Sequence, residues 1–331
     1  MNKANIVITT YEDKLLCIYE SGGRVDDLAV YSVNEERLKS VYIGKVKNII
    51  KNIGAAFVEI APGKTCFLSL DECSDLLVLN RKRTTSDLHQ GDEVLVQIIK
   101  GAIKTKAPVV TGRLRLPKDI KEDVLSKANT RSCFSVLYSG RPEYLSFLDR
   151  FEINSLDRIT CADINVYDEV MGYVDSKGLS DEVKSIINLY SDDYPLNKLY
   201  KIESLIDEVL SKKVWLKSGA NLVIEYTEAM TVIDVNTAKS IRDKGSSHIL
   251  DTNIEAALEI FRQIRLRNIS GMILIDFIND NESETEILIN KVKDLASADY
   301  IKCEYIDITG LGIVELTRAK RNRPVFEILK K

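Results

Sequence analysis

Two apolar runs that each end on a carboxylate constrain this chain most: Thr231-Val232-Ile233-Asp234-Val235-Asn236 and Met272-Ile273-Leu274-Ile275-Asp276-Phe277. Runs of this kind read as buried strands, where an acid is costly unless it is paired or holds a metal. Side chains alternate along a strand, so Asp234 and Asn236 face one way while Ile233 and Val235 face the core. If the second run lies beside the first, Asp234 and Asp276 stand together at one edge of a sheet and can share a cation. Hard oxygen donors suit Mg²⁺, which keeps several waters and takes one or two carboxylates from a protein. Asn236 would then orient a carboxylate or a bound water from behind. The competing reading is structural: the acids cap following helices or pair with arginines such as Arg262 and Arg265.

The sequence around these runs alternates between strand and helix patterns, which implies a sheet flanked by helices. Strands are expected over 221–226, 231–236, 271–278 and 302–307. A helix over 251–268 has Thr252-x-x-Glu255 as a capping box, and a second opens at Ser283-x-x-Glu286. Upstream, Leu199, Ile202, Leu205, Ile206 and Val209 set one amphipathic helix over 196–211. The stretch 134–190 is mixed, with a strand over 135–138 and a helix over 181–190. The first residues read as antiparallel strands over 5–9, 14–20 and 27–31. From Val41 the strands crowd together, over 41–50, 55–60, 65–70 and 93–100, with Gly54, Pro62-Gly63 and Gly91-Asp92 at the corners. That texture predicts a small barrel. Pro108 and Pro117 bound a basic connector after it.

No apolar run approaches the roughly 20 residues needed to span a bilayer. The first residues lack a signal-peptide layout, so a cytoplasmic location and no membrane partner are expected. The 6 cysteines (Cys17, Cys66, Cys73, Cys133, Cys161 and Cys303) form no CxxC pair, which argues for buried free thiols and against a zinc ribbon.

Net charge is −4, which argues against blanket nucleic-acid binding, but the lysines and arginines are gathered. Lys39, Lys45, Lys47 and Lys51 form one acid-free group. Lys100, Lys104, Lys106, Arg113, Arg115 and Lys118 form another, and Arg318, Lys320, Arg321 and Arg323 a third. Basic patches on an acidic protein fit selective contact with a polyanion; solvated lysine faces are the plain alternative. Phe57 and Phe67, on successive barrel strands among Lys45, Lys47 and Lys64, fit base stacking at ~1–3 kcal/mol per base, or ordinary barrel core. With only His89 and His248, the chain lacks the histidine pair of metal-free ribonucleases. It also lacks a G-x-S-x-G elbow, a P-loop and a dinucleotide fingerprint. Phosphodiester hydrolysis by metal-activated water remains.

These strings together resemble the ribonuclease E/G family. Leu216-Lys217-Ser218-Gly219-Ala220 through Asp234-Val235-Asn236-Thr237-Ala238-Lys239 is similar to its catalytic opening. Thr252-Asn253-Ile254-Glu255-Ala256-Ala257, Arg262-Gln263-Ile264-Arg265-Leu266-Arg267 and the run ending Asp276-Phe277 continue it. Tyr42-Ile43-Gly44-Lys45-Val46, Ala55-Ala56-Phe57-Val58-Glu59 and Phe67-Leu68-Ser69-Leu70 resemble its inserted RNA-binding barrel.

The resemblance implies an α+β multidomain chain. An RNase H-like subdomain (1–36 and 133–194) is split by an OB-type barrel with an S1 motif (37–107) and a shortened connector (108–132). A DNase I-like α/β catalytic subdomain (195–331) follows. It implies a Mg²⁺-dependent endoribonuclease cutting single-stranded, often A/U-rich RNA to 5′-phosphate and 3′-hydroxyl ends. Its metal aspartates fall on Asp234 and Asp276, its supporting asparagine on Asn236, its barrel aromatics on Phe57 and Phe67, and a basic substrate contact on Lys106. Lys302 stands where the family has an arginine near the RNA backbone.

Three departures accompany it. The stretch 111–131 is too short for the family's 5′-end sensor. The chain stops seven residues after Pro324, so no zinc is expected, and any homo-oligomer would form without the family's zinc link. Asn279 stands where a second Asp is frequent, beside Asp280. The alternative is a catalytically weak RNA-binding or ribosome-maturation factor of the same fold.

Overall fold

The computed structural model describes residues 4–32, 37–73, 75–81, 88–102, 107–237, 247–278 and 281–329. Lys104, Lys106, Asn279 and Asp280 lie outside them. The chain divides into two compact units, one formed by Met1–Ser32 with Phe147–Lys331 and the other by Val33–Ser146.

Strands β1 (Ala4–Tyr11), β2 (Lys14–Ser21) and β3 (Arg24–Ser32) form an antiparallel meander, turning between β2 and β3 on Gly22 and Gly23. The second unit follows with β4 (Val41–Ile50), β5 (Ala55–Ala61), β6 (Lys64–Ser69), β7 (Glu93–Lys100) and β8 (Val109–Thr111). Their order is β5-β6-β8-β7-β4, and β4 also pairs with β5, which closes a five-stranded barrel. Its interior holds Val46, Val58, Ile60, Leu68, Val96 and Val110. A Cβ on Gly44 would stand 2.6 Å from Val58 Cγ1, so the close crossing of β4 over β5 requires glycine there.

Strand β8 is the element that the basic connector conceals. It runs parallel to β6 and antiparallel to β7, and three residues are too few to display a period. Helix α1 (Lys118–Ala128) and strand β9 (Val136–Tyr138) follow, with β9 paired to β4. Val124, Ala128 and Leu137 there share a buried cluster with Val41, Ile43 and Leu95 of the barrel.

Back in the first unit come β10 (Arg158–Cys161), α2 (Ile164–Ser176), α3 (Asp181–Ser185), β11 (Ile187–Leu189), α4 (Leu196–Leu199) and α5 (Ile202–Leu210). Strand β10 lies parallel to β1, and β11 parallel to β10, giving the order β11-β10-β1-β2-β3. The helix expected over 181–190 therefore stops at Ser185, because residues 187–189 pair with β10 and tertiary pairing overrides local preference. The helix expected over 196–211 breaks at Lys201, whose φ of 50° is left-handed. The break leaves Leu199 53 % exposed, while Ile202, Leu205, Ile206 and Val209 are buried.

The remaining elements are β12 (Lys213–Trp215), β13 (Asn221–Tyr226), β14 (Met230–Asn236), α6 (Ser247–Arg267), β15 (Gly271–Asp276), α7 (Glu282–Ser297), β16 (Cys303–Ile308), β17 (Ile313–Arg318) and α8 (Val325–Leu329). Their sheet has the order β12-β13-β14-β15-β17-β16. Leu222, Ile224, Ile233, Val235, Ile273, Ile275, Val314 and Leu316 share one core with Ala257, Ile260, Phe261 and Ile264 of α6 and Leu288 and Val292 of α7. The helical spacing of those residues is what turns α6 and α7 onto that face.

Neither expected capping box forms. Helix α6 begins at Ser247, so Thr252 is interior and buried, and Glu255 instead accepts from the backbone N–H groups of Lys217 (2.8 Å) and Ser218 (3.2 Å). Helix α7 is capped by Asn281, whose Oδ1 accepts from Glu284 N at 3.0 Å.

Candidate metal and RNA site

Strands β14 and β15 run parallel, joined through α6, and their register pairs Asp234 with Asp276. In-register neighbours in a sheet project to the same face, with strands about 4.8 Å apart. The helices cover the opposite face, so the carboxylates stand on the uncovered one. Asp234 is half-buried and Asp276 exposed. This corrects the expectation of acids sunk in apolar strands: their desolvation is modest, and the unfavourable feature is like charge on directly paired neighbours.

Among the described residues no lysine or arginine pairs with either acid. Arg262 is held by Glu208 (2.6 Å) and Glu259 (2.8 Å), and Arg265 Nε donates to the Asp26 carbonyl. Neither Arg262 nor Arg265 therefore pairs with these acids. Asn236 Nδ2 donates to Asp234 Oδ2 at 2.6 Å, which fixes that carboxylate. The donor set is hard oxygen and fits a divalent cation that retains water, such as Mg²⁺. Among the described residues no group of three or more His, Cys, Asp or Glu could hold a metal ion.

A buried asparagine secures the end of β15. Asn253 of α6 donates to the Ile278 carbonyl at 2.9 Å and accepts from Ile278 N at 3.1 Å, two residues past Asp276. Sequence reading alone does not reach this residue; its signal is a polar amide on the apolar side of a helix.

On the barrel, Phe57 and Phe67 face each other across β5 and β6, ring centroids 6.1 Å apart and edge to face. Both are half-buried, while their neighbours Ala56, Val58, Cys66 and Leu68 fill the interior. They belong to the outer surface, and the barrel-core reading is overturned. Lys47 beside them pairs with Glu59 at 3.1 Å. Lys106 lies outside the described residues. Lys302 is exposed and pairs with Glu304 at 3.0 Å. It precedes Cys303, which aligns through Arg318 with Gly271 at the far end of β15. It thus stands at the opposite end of the sheet from Asp276.

The third basic cluster also resolves differently. Arg318 is 1 % exposed and binds Asp299 through Nε (2.9 Å) and Nη2 (3.1 Å), so it is a structural ion pair closed to any polyanion. In the second cluster Arg115 pairs with Glu72 at 3.3 Å and Arg113 with Asp75 at 3.8 Å.

Residues 101–321 match the model of the Ribonuclease E/G family. The chain belongs to that family. Ribonuclease E of Nostoc sp. is 29 % identical over 396 residues, an alignment taking in 97 % of this chain and 56 % of that protein. This chain therefore spans little more than half of that relative. Ribonuclease G of Salmonella typhimurium is 25 % identical over 401 residues, covering 98 % of this chain and 82 % of the relative. Ribonuclease G of Escherichia coli is 24 % identical over 404, with the same coverage. These alignments of 396 to 404 positions exceed the 331 residues of this family member, so the relatives carry stretches inside the matched region that it lacks. Among the described residues no helix is long and apolar enough to cross a membrane.

Proposed function

We propose that this chain is a Mg²⁺-dependent endoribonuclease that cuts single-stranded, A/U-rich RNA in cytoplasmic RNA processing or turnover, leaving 5′-phosphate and 3′-hydroxyl ends. The observation that carries the reading is the in-register pair Asp234 and Asp276, uncompensated by any described cation, in a member of the ribonuclease E/G family. Held there, Mg²⁺ would supply charge neutralisation at the scissile phosphate and lower the pKa of the attacking water. Asp234 and Asp276 hold the ion, and the Asn236 amide ties one oxygen of Asp234, leaving the other for coordination. Phe57 and Phe67 offer bases a stacking surface on the barrel, with Lys106 as a phosphate contact.

Strand order supports the arrangement that the resemblance implies. Three antiparallel strands followed by two parallel ones, β3-β2-β1-β10-β11, fit an RNase H-like sheet. The one-sided six-stranded sheet, with α6 and α7 on one face, fits a DNase I-like half.

Cleavage of an unstructured A/U-rich oligoribonucleotide, with the ends of the products mapped, tests this. Wild type should cut with Mg²⁺ and not with EDTA, and Asp234→Asn and Asp276→Asn should each lose about 10²-fold or more in rate. Asn236→Ala should lose about 10–100-fold. Undiminished cleavage by either aspartate variant would sink the assignment. Salt-sensitive RNA binding without cleavage by wild type would make the chain an RNA-binding or ribosome-maturation factor instead.

A further inference from the structure

We propose that Trp215, with Lys213, forms a nucleobase-stacking subsite for single-stranded RNA on the sheet face that bears Asp234 and Asp276; the proposal rests on the ribonuclease reading above. Trp215 is the one tryptophan of the chain, and it is 66 % exposed on an edge strand. A large ring ordinarily buries most of its area, so its exposure beside a reactive site calls for a use.

Register fixes where it stands. Trp215 aligns with Asn221 and, through it, with Asn236; Lys213 aligns with Val223 and, through it, with Asp234 and Asp276. In-register neighbours share a face, so Trp215 and Lys213 lie two strand spacings, about 10 Å, from Asn236 and Asp234. The ammonium of Lys213 sits 4.1 Å from the centroid of the Trp215 ring. An aromatic plane with a cation at its side is the pairing that takes a base by stacking and its phosphate by charge.

Charge gives the subsite a direction. On the far side of the same face, β16 and β17 carry Asp307 and Glu315, which repel a polyanion. A strand that reaches the two aspartates is therefore favoured from the β12 side, across Trp215. Every base has a flat face, so this subsite selects for single-stranded character rather than for sequence.

Because Trp215 is the only tryptophan, its emission reports this ring alone. The full chain carrying Asp276→Asn, to prevent cleavage, is titrated with an end-labelled, unstructured A/U-rich oligoribonucleotide, reading RNA anisotropy and protein emission together. Emission should be quenched in step with the rise in anisotropy. Adding Trp215→Ala should weaken binding about tenfold and Trp215→Phe should restore most of it. In the cleaving protein, Trp215→Ala should raise KM by a similar factor. Binding that leaves emission unchanged, or a Trp215→Ala variant that binds as tightly as its parent, overturns the subsite and leaves the ribonuclease reading standing. Emission that follows protein concentration rather than RNA marks self-association through this ring and also overturns it. If no form binds RNA and wild type cuts nothing, both readings fall.

Discussion

Asn253 is 1 % exposed and its amide substitutes for a neighbouring strand, meeting both backbone groups of Ile278. Asn253→Ala leaves the half-buried N–H and C=O of Ile278 without this partner, at about 1 kcal/mol for each. Stability should fall, and so should the precision with which Asp276 is presented, so the Mg²⁺ concentration for half-maximal cleavage should rise about tenfold or more. Thermal melts and a Mg²⁺ titration of cleavage separate the two effects. A lowered melting temperature with an unchanged Mg²⁺ response would make the clamp purely structural. At this scale the sequence revealed residue type and spacing but not burial. The side-by-side placement of Asp234 and Asp276 followed from two similar strands, whereas Arg318 read as a surface charge until its pairing with Asp299 put it in the interior.

Helix α6 holds β14 and β15 from beneath, and it is tied to α5 by charge as well as by packing. Glu208 of α5 accepts from Arg262 Nη1 at 2.6 Å and from Gln263 at 2.8 Å, while Arg262 Nε reaches the Val25 carbonyl of β3. Burial alone would push the Glu208 carboxyl up, yet the Arg262 and Gln263 contacts outweigh it and hold it below its ordinary value of 4.5. A carboxyl depressed in the folded state binds protons more readily unfolded. Its contribution is therefore complete above that ordinary value and is lost as pH falls through the depressed one. Glu208→Gln should be destabilised relative to wild type near neutral pH, with the gap closing in acid as wild type loses the same interaction. Denaturant unfolding of both proteins at about pH 7 and about pH 4 checks the sign; a gap that widens in acid would contradict it. Long periodic elements such as β4, β7 and α6 were legible because many residues vote together. Strands β8, β9 and β11 have three residues each, and only their partners across the sheet specify them.

In the chain as a whole, the stretch after the barrel bears on how the proposed ribonuclease would treat the end of its RNA. Residues 108–132, where the family resemblance would set a sensor for the RNA 5′ end, contain β8, which completes the barrel, and α1, which shares a buried cluster with it. Three polar groups of that stretch, Thr111, Arg113 and Arg115, are engaged. Thr111 Oγ1 donates to Glu72 at 2.5 Å, Arg115 pairs with the same carboxylate, and Arg113 donates to the Asp71 carbonyl at 3.3 Å. Those contacts hold the Glu72 carboxyl below its ordinary range, the Thr111 hydroxyl first among the causes, so Thr111 and Arg115 are bound to a carboxylate and not presented to a phosphate. The chain should therefore cut one RNA bearing a 5′-monophosphate or a 5′-hydroxyl at rates within about twofold. Parallel time courses on the two substrates, at equal RNA and Mg²⁺ concentrations, measure this. A preference of about tenfold or more for the monophosphate would require a second cationic pocket, and charge reversal at Arg113 and Arg115 would then show whether those two arginines leave their carboxylates to form it.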